Sequence, residues 1–332
     1  MLHSTLVLLL AAITDFLIGD PRNWLHPVQV MGWMTQNYTK IAIALFDSPW
    51  QRRLSGIVLG LGLILGTGFV SWIIIRGANQ VNSVLGIVTE VVLLASCLAG
   101  KSLRLAVDDV LQPLKAEDIK TARNRLSYYV GRDTDNLSER EIFRALLETV
   151  GENAVDGITA PLFYGILGGL LPEIGCVPLA LAYKAASTLD SMVGYRREPY
   201  VDIGWFSAQL EDRLTWLPCR LTVLTLSLFS GKPRQVLAIC RRDAVQDPSP
   251  NSGWSECVYG AILGVQLGGI NTYQGEVKEK PLLGNPLEPI SQEKIAQALT
   301  LTRYCLLCWL AIATILLLGL AYFSLNQPIT SS

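Results

Sequence analysis

Hydrophobic residues run almost unbroken over four stretches of the chain, and charge gathers between them. Leu2 to Ile18 is mostly apolar, with His3 and Asp15 its only ionisable side chains, and Gly56 to Ile75 contains no charge. The second of these has about the twenty residues that a helix needs to cross a hydrocarbon core of roughly 30 Å. Val84 to Gly100 is shorter and carries Glu90, which must face a bundle interior or lie near an interface. Tyr304 to Leu325 is the last uninterrupted run. Two further apolar segments are irregular. Ile158 to Ala182 is broken by Gly168-Gly169 and Pro172-Glu173, which predicts two half-helices, as a re-entrant hairpin or two short spans, over a single kinked span. Leu214 to Phe229 is short and carries Arg220, so it either lies in the interface or pairs with Val258 to Ile270 as a second crossing. The pattern predicts an all-α integral membrane protein with about four to six transmembrane helices, some re-entrant or broken, and a cytoplasmic helical segment.

The polar segments add to this outline. Lys101 to Asn136 has apolar positions at Leu103, Val107, Val110, Leu111 and Leu114, the spacing of one amphipathic helix. Ser138-Glu-Arg-Glu141 is a capping box and predicts a second helix, running to a stop at Asp156-Gly157. Asn271 to Gln292, rich in Pro, Gly, Lys and Glu, reads as a mobile loop, and no strand-type alternation or repeat is evident. The chain then divides at 1–100, 101–157, 158–270, 271–303 and 304–332.

Composition supports the membrane class. Half of the 332 residues are hydrophobic and only 17% are charged, and the mean hydropathy is +0.36, values unusual for a soluble domain. A net charge of -1 gives no reason to expect a nucleic-acid partner. The seven cysteines form no metal spacing with histidine, and Cys305-x-x-Cys308 lies in an apolar helix, where packing is its role. No phosphate-binding Gly-x4-Gly-Lys-Ser/Thr loop occurs, and Gly60 to Gly66 sits within an apolar run, as in helix packing. The N-terminal run lacks the basic lead of a secretory signal and reads as a retained span. Arg22, Lys40, Arg52 and Arg53 precede the second span, only Arg76 follows it, and many basic residues follow Lys101. This bias places the N-terminus outside, with the loop to Arg53 and the segment from Lys101 in the cytoplasm; the tail after Leu325 has no basic residue and fits outside.

Chemistry concentrates between Ser127 and Tyr195. Glu148, Glu152 and Asp156 are four apart, so a continuous helix points all three from one face. Like charges so placed repel, and a cation such as Mg²⁺ would relieve them; a solvated helix face is the alternative. Lys184 and Asp190 adjoin an apolar run, where charge is expensive unless it lines a polar cavity. Interfacial snorkelling is the alternative and suits Lys184 better than Asp190.

Four motifs in order now define a resemblance: Gly131-Arg-Asp-Thr134; Glu148-x3-Glu152-Asn153-x2-Asp156-Gly157-x3-Pro-Leu-Phe-Tyr164; Ala182-Tyr-Lys184-Ala-x2-Thr188-Leu-Asp190-Ser-Met-x-Gly-Tyr195; and Ser249-Pro-Asn251-Ser-Gly253 with Glu256. Together with Asp15-x3-Gly19-Asp20-Pro21 and His26-Pro27-Val28, they resemble the CobD/CbiB family of adenosylcobinamide-phosphate synthases over about Asp15 to Gly269. The resemblance implies an integral enzyme of the cell (inner) membrane. The implied reaction joins the free propionate of adenosylcobyric acid to an aminoalcohol phosphate, such as aminopropanol phosphate or ethanolamine phosphate, at the expense of ATP and with Mg²⁺. The corrinoid, the aminoalcohol phosphate and membrane lipid are the expected partners, with other cobamide-pathway enzymes or a second copy of the chain as further ones.

On this resemblance Asp133, Glu148, Glu152 and Asp156 form the expected Mg²⁺ cluster, with Asp190 a further candidate. Arg132 and Lys184 are expected on phosphate oxygens, where guanidinium and ammonium are suited. Thr134, Asn153, Thr188, Tyr195, Arg220, Ser249, Asn251 and Glu256 are expected to hold substrate. His26 is the choice of base by its ordinary pKa, with Asp15 and Asp20 as rivals.

The match has departures. Gly151 stands where the family pattern has alanine, Ser187 where asparagine is common, Cys219 for alanine before Arg220, and Ser255 for proline before Glu256. Gln209 and Glu211 stand where arginine and aspartate are usual, and Gln209, having lost a charge, is assigned no role. Two other classes of function compete: a small-molecule transporter, since broken helices with buried charge also describe a midplane site, and a non-catalytic membrane regulator of the AmpE-like type. The large charged segment argues against the first, and the retention of acidic, Lys and Arg positions together argues against the second.

Overall fold

The computed structural model describes residues 1–20 and 25–325; Pro21 and Arg22, and the tail after Leu325, lie outside the described residues. In chain order the helices are α1 (Leu2–Leu17), α2 (Pro27–Leu45), α3 (Pro49–Val81), α4 (Ser83–Ala95), α5 (Gly100–Lys115), α6 (Ile119–Leu126) and α7 (Glu139–Ala154). There follow α8 (Ala160–Gly169), α9 (Cys176–Val193), α10 (Tyr200–Ile203), α11 (Trp205–Phe229), α12 (Pro233–Asp243) and α13 (Ser252–Leu263). Strands β1 (Leu267–Tyr273) and β2 (Glu276–Leu283) precede the last helix, α14 (Gln292–Leu325). The protein is an all-α membrane protein with one two-stranded hairpin among its described residues.

Two of the described helices, α3 and α14, are long and apolar enough to cross a membrane, or three spans if the bent pair α4 and α5 counts as one. The apolar α1, at 16 residues, is shorter. Ser48 starts α3, its hydroxyl accepting the Gln51 N–H at 3.3 Å with Pro49 in the first turn. Leu61, Leu65, Phe69 and Ile73 of α3 are exposed, as lipid-facing side chains must be.

The chain folds as two compact units. The first comprises Met1–Ala99, Ala160–Leu214 and Leu307–Ser332. Glu90, the lone acid of α4, is buried and bonds the His3 ring of α1 at 2.9 Å, so it faces the bundle. The break at Gly168-Gly169 is present: α8 ends at Gly169, α9 begins at Cys176, and the two run back along each other with the Tyr164 and Tyr183 rings stacked 5.0 Å apart.

The second unit comprises Gly100–Thr159 and Thr215–Leu306. Here α7 begins at the expected capping box, Ser138 and Glu141 each bonding the other's backbone N–H. Several expectations are corrected. The amphipathic segment after Lys101 is two helices, because Glu117 takes a positive φ and Asp118 caps a fresh start, accepting the Thr121 N–H at 3.0 Å. Asp156-Gly157 does not stop α7; the chain widens into a π-helical turn, Val155–Thr159, and continues as α8. Such wide turns recur at functional sites. Val258 to Ile270 is not one span, since α13 ends at Gly264 in the left-handed region and the backbone turns into β1. The presumed loop after Asn271 holds most of the antiparallel hairpin, closed at Gln274-Gly275, both with positive φ. That is the turn whose twist suits two-residue hairpins.

Candidate active site

The charged residues of the second unit converge where α7 and α13 meet the hairpin. The Arg132 guanidinium donates to Asn271 Oδ1 at 2.7 Å and to the Glu148 carboxylate. The other Glu148 oxygen accepts the Gly268 N–H at 2.9 Å. Both charged side chains are buried, Arg132 7% and Glu148 3% exposed. Burial works against the Arg132 charge, but Glu148 outweighs it and raises the Arg132 pKa above its ordinary value. Asp133 braces the hairpin turn: its oxygens accept the Gln274 and Gly275 N–H groups at 2.9 and 2.8 Å, and its own N–H donates to Thr272 at 2.8 Å. Thr134 is buried beside them. Arg144 holds the start of β1, donating to the Gly268 and Ile270 carbonyls and, at 3.0 Å, to Asn271.

On α13, Glu256 is 1% exposed at its side chain; one oxygen lies 3.5 Å from the Lys280 ammonium of β2, and the other has no partner. Burial, reinforced by Glu148, Glu152 and Asp247 and only partly offset by Lys280, pushes the Glu256 pKa up to about 8. Burial also opposes the Lys280 charge, but Glu256, Glu148 and Glu152 reverse that and lift its pKa above the usual lysine value. Neither Lys280 nor Asn271 and Arg144 is marked by the sequence pattern. They matter only because the hairpin carries or contacts them, and that segment has the composition of a loop.

The remaining expected residues of this unit divide between helix and turn. Glu152 is exposed, Asp156 is half-buried in the π turn, and Asn153 bonds the Thr149 carbonyl one turn back at 2.9 Å. Ser249 accepts the Asn251 and Ser252 N–H groups at 3.3 and 3.2 Å, a local turn before α13. The Cys219 thiol donates to the Asn251 carbonyl at 3.4 Å, and Arg220 donates to Pro250 at 2.8 Å while lying 4.2 Å above the Trp254 ring.

The other expected residues belong to the first unit. Asp15 is buried. His26 caps α2: its Nδ1 accepts the Val28 N–H at 3.2 Å, so Nε2 carries the proton and donates to Asp20 at 3.1 Å. Both ring nitrogens are engaged. Lys184 and Asp20 both lie within electrostatic reach of the buried Cys97 thiol, so the Ala182–Tyr195 motif and the Gly19-Asp20 turn approach one place. Thr188 bonds the Lys184 carbonyl at 2.7 Å, the Asp190 carbonyl accepts the Gly194 N–H at 2.7 Å, and Tyr195 is exposed beside Tyr200.

A Mg²⁺ ion fits only part of the expected acidic set. Among the described residues no three His, Cys, Asp or Glu side chains gather as a metal site. Asp133 is spent on the hairpin turn, and Glu148 on Arg132 and Gly268. Of the expected acids, Glu152 is exposed and could give oxygen to an ion that brings its phosphates and waters with it, with Asp156 half-buried four residues on.

These features define a class: a helical membrane protein with a polar unit built on buried ion pairs. Comparison carries the assignment further. The model of the CobD/CbiB protein family matches residues 8–302. The chain is 54% identical to "Cobalamin biosynthesis protein CobD" of Synechocystis sp., over 96% of this chain and 93% of that one. It is 40% identical to the protein of the same name from Halalkalibacterium halodurans, over 90% and 92%, and 42% identical to "Cobalamin biosynthesis protein CbiB" of Salmonella arizonae, over 88% and 91%. No solved structure matches. This chain belongs to the CobD/CbiB family.

Proposed function

We propose that this protein acts in cobalamin biosynthesis as an acid–amine ligase, joining adenosylcobyric acid to an aminoalcohol phosphate with consumption of ATP, at the cytoplasmic face of the cell membrane. A propionate oxygen attacks the terminal phosphorus of ATP and ADP departs. The amine then attacks the acyl carbon, inorganic phosphate leaves, and the ammonium proton passes to a base. Glu152 and Asp156 would hold the Mg²⁺ that accompanies the nucleotide, and that ion would supply charge neutralisation on the phosphates.

The observation that best supports this reading is Glu256. The amine reaches the site protonated, and a base serves best when its pKa lies near the working pH. Glu256 combines a raised pKa with a buried oxygen that no protein group satisfies, whereas both nitrogens of His26 are engaged. Glu256 therefore takes the amine proton. Arg132 and Asp133 act by fixing the hairpin against α7.

The test is ATP hydrolysis by the purified full chain in detergent. Turnover requires adenosylcobyric acid and ethanolamine phosphate together, and Glu256→Gln lowers it by about two orders of magnitude. Turnover independent of either substrate, or undiminished in Glu256→Gln, counts against the assignment.

A further inference from the structure

A cavity of about 570 Å³ opens beside β2, lined by the cations Lys280 and Arg242, the carboxylates Asp243 and Glu279, and the amides of Gln246, Gln266 and Asn285 among others. Its volume is within the usual range for small-molecule sites. The two cations on its wall are differently engaged. Arg242 is closed onto Asp243 by two bonds of 2.6 and 2.8 Å and donates to Asn285 at 2.8 Å. Lys280 has three N–H donors, and its partner Glu256 lies at 3.5 Å, beyond the 2.7–2.9 Å of a tight charge-assisted bond. Its side chain keeps 30% exposure, and it pairs across the hairpin with Gly269, which has no side chain to crowd it. Arg132 and Arg144, the neighbouring cations of the unit, are turned to Glu148, Asn271 and the β1 carbonyls.

We propose that Lys280 holds the phosphate of the amine substrate in this cavity, with Glu256 as the residue that positions its ammonium. This rests on the ligase reading above and adds to it the anion-binding residue. Glu256 does not line the cavity; it backs Lys280 from the interior, one buried oxygen 3.5 Å from the ammonium. The phosphate would be gripped by a compact point charge, so its affinity should follow the charge at position 280 and not the general charge of the hairpin.

The experiment is isothermal titration of the full chain in detergent with inorganic phosphate, ethanolamine phosphate and ethanolamine. The first two bind and ethanolamine binds far more weakly. Lys280→Met weakens both phosphate probes by about tenfold or more, as loss of a charged hydrogen bond requires, and raises KM for ethanolamine phosphate more than it lowers kcat. Lys278→Met, two residues away on the exposed strand, changes affinity by less than about twofold. A second measurement needs no variant: phosphate slows acylation of Lys280, read by peptide mass spectrometry, and leaves Lys278 labelling unchanged. Unaltered phosphate affinity in Lys280→Met, equal losses in both variants, or Lys280 labelling indifferent to phosphate each overturn the proposal. Phosphate binding through Lys280 without any ligation product would refute the ligase reading alone; product formation with unchanged affinity and KM in Lys280→Met would refute this site alone.

Discussion

The Arg132 guanidinium and the Glu148 carboxylate form an ion pair with both side chains buried, and Glu148 also accepts the Gly268 N–H of β1. One side chain thus joins α7, the Gly131–Thr134 turn and the hairpin. Breaking such a pair from one side leaves a buried charge uncompensated, at a cost of roughly 3–5 kcal/mol.

Arg132→Met should therefore lower the thermal midpoint of the detergent-solubilised protein sharply, while the pair of changes Arg132→Met with Glu148→Leu recovers much of the loss. Unfolding followed by tryptophan fluorescence checks this. A Glu148 whose main partner was a metal ion would show no such rescue.

Asp133→Ala removes the acceptor for two N–H groups of the Gln274-Gly275 turn. The expected loss is about 1–3 kcal/mol, confined to local opening of the hairpin. Hydrogen exchange should quicken in the β1–β2 peptides and leave the α3 peptides as they were.

Gly151→Ala tests how closely α7 and α13 approach. A Cβ at 151 would lie 3.1 Å from Glu256 Cα and 3.3 Å from the Ser255 carbonyl, tighter than ordinary contact. Helix propensity favours alanine by about 1 kcal/mol, but overpacking costs roughly 1–3 kcal/mol, so the net change is destabilising by up to about 2 kcal/mol. Activity should fall with it, because the displaced residue is Glu256. Thermal unfolding and turnover, measured on the same sample, check both effects.

Glu256 also imposes a pH dependence on stability. Its pKa rises from 4.5 to about 8 on folding, so between those values the folded chain binds more protons than the unfolded one. Stability from this group is full below pH about 4.5 and is lost as pH rises through about 8. Glu256→Gln should flatten that decline, gaining on the parent protein as the medium becomes alkaline. Thermal midpoints of the two proteins across this interval check the sign.

Much of this architecture was legible in the chain. Ser138 and Glu141 announce the start of α7, Gly168-Gly169 and Pro172 mark the break before α9, and the charge-free run from Gly56 lies within α3. These signals are local. The hairpin escaped notice because Gly268-Gly269 and the Lys-Glu-Lys run of β2 dilute its alternation, and because its turn is braced by Asp133, about 140 residues away in sequence. The π turn at Val155–Thr159 likewise has no local signature. For the site, Glu256 was marked by its motif and Lys280 by nothing. The departures at Gly151 and Ser255 look unrelated in sequence, yet they face each other where α7 crosses α13.

The most direct measurement is the mass of the corrinoid recovered after the purified chain is incubated with adenosylcobyric acid, ethanolamine phosphate, ATP and Mg²⁺. The account predicts a product heavier by one ethanolamine phosphate less one water, formed once per ATP consumed and lost in Glu256→Gln. Unmodified adenosylcobyric acid under these conditions, from protein shown to be folded, or full product from Glu256→Gln, would contradict it.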